Sequence, residues 1–87
     1  MELEILTPEK KLFSGNVYGV QLPGINGSFE VLDKHAAMVS ALGTGTLKVL
    51  HDKAGTKTES FTISGGIIEV LRNNISVLVE KAQIKEA

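Results

Sequence analysis

Cysteine is absent from the 87 residues, which excludes disulfides, thiolate metal ligands and cysteine nucleophiles together. Its absence fits a reducing compartment. An excess of positive charge is missing too: nine Lys and Arg stand against ten Asp and Glu, a formal net charge of −1. Nucleic acid and anionic lipid both reward a basic surplus, so neither is expected as the main partner. No apolar run approaches the roughly 18–20 residues that span a bilayer. The opening Met1-Glu2-Leu3-Glu4 is acidic and enters a patterned segment at once, unlike a signal or transit peptide. A protein of this kind that works at a membrane is held there by another protein. Helical periodicity is also lacking: no segment before position 80 carries a sustained 3.6-residue apolar stripe. Nor does a linker, repeat or low-complexity stretch divide the chain.

What remains is 43% hydrophobic residues and nine glycines, distributed as short β-type segments between turns. At this length one domain is expected, able to bury roughly 60–70% of the surface its unfolded chain exposes. Glu2 to Leu6 alternates and is stopped by Thr7-Pro8. Val17 to Leu22 is closed by Pro23-Gly24, and Asn26-Gly27 signals a hairpin into Ser28 to Leu32. Met38 to Leu42 and Thr46 to His51 read as two strands separated by Gly43-Thr44-Gly45. Thr56 to Ile63 returns across Asp52-Lys53-Ala54-Gly55, with Phe61 and Ile63 on one face. Ser64-Gly65-Gly66 breaks the pattern, and Ile67 to Leu71 and Ile75 to Val79 pair across Arg72-Asn73-Asn74. About eight to ten short strands with frequent turns predict an all-β antiparallel sandwich or barrel over residues 1–80. Residues 81–87 favour helix by composition but are too few to hold one, and read as a short tail.

The chemistry-bearing residues form no convincing centre. His35 and His51 are the sole histidines, too few for a zinc site without borrowing stray carboxylates. Ser64, His35 and Asp33 spell a triad on paper, but no nucleophile-elbow motif accompanies them. The two glycine clusters are followed by strands rather than by a helix whose N-terminus could face a phosphate, so turn or bulge geometry explains them. Asn26-Gly27-Ser28 and Asn74-Ile75-Ser76 match the glycosylation sequon and read as turns. No cofactor, metal or catalytic residue is expected. One alternative stays open: Asp52-Lys53-Ala54 in a hairpin loop resembles the modified-lysine turn of lipoyl and biotinyl carrier domains, which would place a covalent group on Lys53.

The chain as a whole resembles the N-terminal domain of the F-type ATP synthase epsilon subunit. Leu3-Glu4-Ile5-Leu6-Thr7-Pro8-Glu9-Lys10-Lys11-Leu12-Phe13-Ser14-Gly15 is similar to that family's opening strand and turn. Val20 to Leu32 resembles its next block, in which a Pro-Gly turn precedes a Gly-x-Phe or Gly-x-Leu strand. His35-Ala36 falls at the family's Gly-His-Ala-Pro, with Lys34 in place of the glycine and Ala37 in place of the proline. Gly45-Thr46-Leu47, Ser64-Gly65-Gly66-Ile67-Ile68-Glu69-Val70 and Ile75-Ser76-Val77-Leu78 resemble the later blocks. An acidic residue common early in the second block corresponds to Ser28, and Glu30, two positions on, shares its face.

The resemblance implies a β-sandwich without the C-terminal helical hairpin that many relatives carry. It also implies a non-catalytic rotor subunit of the central stalk in a proton- or sodium-translocating ATP synthase. Its partners would be the gamma subunit and the c-ring, with ion flow coupled to ATP synthesis. The location implied is peripheral, on the cytoplasmic face of a bacterial inner membrane. Ser28, Glu30, Asp33, Lys34 and His35 are then expected to face the c-ring. Met38, Val39 and Leu42 are expected on an apolar gamma-facing surface.

Overall fold

A computed structural model describes residues 1–85. Seven strands follow one another: β1 (Glu2–Leu6), β2 (Lys11–Asn16), β3 (Gly19–Gly24), β4 (Gly27–Leu32), β5 (Met38–Leu50), β6 (Thr58–Leu71) and β7 (Asn74–Lys85). They hydrogen-bond in the order β2-β1-β7-β6-β5-β3-β4. All neighbours are antiparallel except β1 and β7, which run parallel with Leu3 opposite Ile75 and Ile5 opposite Val77. Alternation supplies the interior. Leu3 and Ile5, Val20 and Leu22, Leu47 and Val49, and Ile75 and Val77 each send every second side chain inward and are almost fully buried. These residues join a single core with Val31, Ile63 and Ile68, drawn from both halves of the sheet. The result is the expected all-β sandwich.

The strands are fewer and longer than their residues suggest. β5 runs through Gly43-Thr44-Gly45, and β6 runs through Ser64-Gly65-Gly66. Pairing passes the glycines without a change of register, from Leu42 opposite Gly66 to Thr44 opposite Ser64. The inward side changes there. In β6 the buried positions are Phe61 and Ile63 before the glycines, but Ile68 and Val70 after them. Gly65 (φ 65°) and Gly66 (φ 151°) adopt backbone conformations that side chains rarely tolerate, and this lets the strand turn the corner. A Cβ on Gly66 would stand 2.4 Å from the carbonyl oxygen of Leu78, so the position is closed to anything larger. The glycines therefore bend the sheet where they had been expected to end strands.

The expected tail is likewise shorter. Strand β7 continues to Lys85, with Lys81 opposite Ser64, Gln83 opposite Thr62 and Lys85 opposite Ser60. The ladder offered by β6 overrides the helical preference of that composition. The remaining tail positions, 86 and 87, lie outside the described residues.

Candidate functional site

Five polar residues and three apolar ones were expected to form two contact surfaces, and their surroundings differ. Asp33, Lys34 and His35 occupy the exposed loop after β4. That loop is tied across the molecule to the β6–β7 turn. Asn73 Nδ2 donates to Asp33 Oδ1 at 2.7 Å, and the Lys34 amide donates to Asn73 Oδ1 at 2.8 Å. The Met1 ammonium also approaches Asp33 Oδ1, at 3.4 Å. These donors, Asn73 first, hold the Asp33 carboxyl below the usual aspartate pKa of 3.8. Lys34 and Asn73 both carry positive φ, 63° and 64°, so the reciprocal side-chain bonds fix two turns at once. The ring of His35 meets the carbonyl of Ala36 at 2.8 Å through Nδ1.

Ser28 and Glu30 lie apart from that loop. Both are exposed on β4, an edge strand, and Glu30 accepts a 2.8 Å hydrogen bond from Gln21 Nε2 on β3. Ser28 sits beside the tip formed by Ile25 and Asn26, five positions from Asp33, or roughly 16 Å along the strand. The five residues thus follow one edge of the sandwich instead of gathering at one end.

The apolar three separate more sharply. Leu42 is 4% exposed and belongs to the core, so it is unavailable for a partner. Met38 is half-buried and packs against that core. Val39, with 67% of its surface exposed, points outward. It is not alone on that side. Ladder pairing sets Ala41 opposite Ile67, Ile67 opposite Leu78, and Leu78 opposite Leu6, one row across β5, β6, β7 and β1. Ile67, Leu71 and Leu78 are each about half exposed, at 43%, 50% and 49%. Leu6, Pro8 and Leu78 also line a groove at the β1 end of the row. This outer face was not foreseen, although its signal was present. A strand covered on one side alternates, yet here Ile67 adjoins Ile68 and Leu78 stands between Val77 and Val79.

The remaining candidates are accounted for locally. Asp52 accepts hydrogen bonds from the amides of Thr56 (2.8 Å) and Lys57 (3.4 Å) and from the Thr56 hydroxyl, closing the β5–β6 loop. The Thr56 hydroxyl is the main reason its carboxyl is held below the ordinary aspartate value. His51 pairs with Glu59 at 3.1 Å and lies against the ring of Phe13. Among the described residues no three His, Asp or Glu side chains converge to hold a metal ion.

Residues 1–85 match the family model described as the β-sandwich domain of the ATP synthase delta/epsilon chain. The chain belongs to that family. The ATP synthase epsilon chain of Salinibacter ruber is 39% identical over 89 residues, covering 95% of this chain and 60% of that protein. The epsilon chain of Nitratidesulfovibrio vulgaris is 42% identical over 86 residues, covering 99% and 62%. This delta/epsilon-type sandwich thus spans about three-fifths of such relatives. A chain in the Euglena gracilis mitochondrial ATP synthase (OSCP/F1/c-ring) superposes with a TM-score of 0.85 at 23% identity, covering 94% of this chain and 51% of its own length. One in the Tetrahymena thermophila central stalk and c-ring gives 0.77 at 22%, covering 94% and 64%. Both show the same fold. Family membership sets aside the carrier-domain reading of Lys53, whose loop is built around the Asp52 cap.

Proposed function

We propose that this sandwich is a non-catalytic central-stalk subunit of a proton- or sodium-translocating F-type ATP synthase. It packs on the gamma subunit, touches the c-ring, and couples ion flow to ATP synthesis without performing chemistry. The match of residues 1–85 to the delta/epsilon sandwich family carries this reading. Its site is the cytoplasmic face of a bacterial inner membrane, reached through partner subunits.

The gamma-facing surface on this reading is the outer face of β5, β6, β7 and β1. Val39 remains in it and is joined by Ala41, Ile67, Leu78 and Leu6; Met38 supports it from the core side. A row of exposed and half-buried apolar side chains is the kind of surface that lasting interfaces cover. The c-ring contact follows the β4 edge. Ser28, Lys34 and His35 present side chains there, while Glu30 and Asp33 hold the edge in shape through Gln21 and Asn73. A seven-stranded sheet with a shared core is stiff, which suits a part that carries torque between two partners.

The test is capture of partners by the tagged chain from its native membranes, with mass analysis of Lys53. Gamma and c-ring subunits with unmodified Lys53 are expected. A dehydrogenase complex with acylated Lys53 would overturn the proposal.

A further inference from the structure

Glu69 interrupts the apolar outer face. It lies on β6 with Val39 of β5 and Ser76 of β7 directly opposite. Ile67 and Leu71 flank it on the same side of its own strand, and Ala41 and Leu78 take diagonal positions. None of these neighbours is basic. Glu4, beyond Ser76 in the same row, is already paired with Lys11 at 3.2 Å. Among the described residues no ion pair or side-chain hydrogen bond engages Glu69. Glutamate is also a poor strand former, so neither propensity nor an internal partner explains it in mid-strand.

In water such a carboxylate is well solvated. Covering the face changes its position. A partner that buries Val39, Ile67, Leu71 and Leu78 strips water from the charge at their centre, and a wholly apolar partner offers nothing in return. We infer that Glu69 selects the partner of this face: the docking surface on gamma presents a cationic side chain, arginine in preference to lysine, to this carboxylate. The role rests on the gamma-docking reading above. A guanidinium fits because its fork meets both carboxylate oxygens and it gives up its own hydration more readily than an ammonium. The apolar row supplies area, and the charge at its centre supplies discrimination and register.

The experiment measures binding of the purified gamma subunit of the same synthase to the wild-type chain, Glu69→Gln, Glu69→Lys and Ile67→Asp. All are exposed positions, so thermal melts should show each variant folded. Glu69→Gln should weaken binding roughly thirtyfold or more, and Glu69→Lys further, as expected when one partner of a covered charge pair is lost. A charge-reversed arginine on gamma should restore binding to Glu69→Lys. Loss of binding in Ile67→Asp with wild-type affinity in both Glu69 variants overturns the inference and leaves the docking face standing. Wild-type affinity in all three variants overturns both.

Discussion

Asp33 and Asn73 stand 40 positions apart in the chain, and the hydrogen bonds between them and through Lys34 decide the shape of the loop after β4. That loop departs from the family pattern at Lys34 and Ala37, so local sequence offers neither the glycine nor the proline that would shape it. Asn73 does so from the β6–β7 turn, a distant contact with no signal in the loop's own residues. Legibility was accordingly uneven here: the loop could be located, but not what holds it. The tie has a pH signature. Asp33 and Asp52 both have carboxyl pKa values lowered in the folded chain, by Asn73 and by Thr56 foremost. Their contribution to stability is therefore present above the unfolded aspartate value, about 3.9, and is lost as pH falls through the lower folded values. The wild-type melting temperature should drop below about pH 4, and the double variant Asp33→Asn/Asp52→Asn should show a shallower drop. Parallel acid melts of the two proteins check this, and identical slopes would refute it.

Strands β5 and β6 owe their length to glycines that punctuate the sequence without ending the ladder. A glycine pair reads as a stop because most turns are made that way. Only the neighbouring strands decide whether the chain turns back or bends, and here β7 and β5 continue past Gly65 on both sides in unchanged register. The hairpin from Ile67 to Val79 was plain from its turn, Arg72-Asn73-Asn74 between two β-rich runs, because nothing in it depends on distant geometry. Strand β7 beyond Glu80 was hidden for the opposite reason: composition favours helix, and pairing with Ser60 to Ser64 outweighs it. The corner makes unequal demands on its two glycines. Gly65 at φ 65° has open space around it, whereas Gly66 at φ 151° faces the Leu78 carbonyl. Gly66→Ala should destabilise by about 3 kcal/mol or more, adding steric clash to a conformation nearly restricted to glycine. Gly65→Asn should cost about 1 kcal/mol or less, since asparagine tolerates the left-handed region. Urea unfolding of both variants measures the difference, and equal losses would mean that the corner relaxes.

The whole molecule has two unlike outer faces around one core. Where β5 pairs with the part of β6 before its glycine corner, Thr46 opposes Thr62 and Lys48 opposes Ser60, an ordinary polar surface. On the other side of that corner the sheet carries Val39, Ile67, Leu71 and Leu78 into solvent. None of these four belongs to the buried core, and each keeps more than two-fifths of its surface in solvent, so they contribute less to folding of the isolated chain than the core residues do. On the docking reading proposed above their use lies in assembly, a separation that can be measured. The double variant Ile67→Ser/Leu78→Ser should still fold, with a loss of about 1 kcal/mol per site or less. If gamma docks on this face and binds the folded form alone, a hundredfold excess of it over its Kd should stabilise the wild-type chain by about 2.7 kcal/mol. For a domain of this size that corresponds to a melting temperature higher by roughly 10–20 °C. The double variant should show no such rise at the same gamma concentration. A variant that is itself several kcal/mol less stable would place these side chains in the folding core. A variant that melts normally and still gains from gamma would move the docking surface to another face of the sandwich.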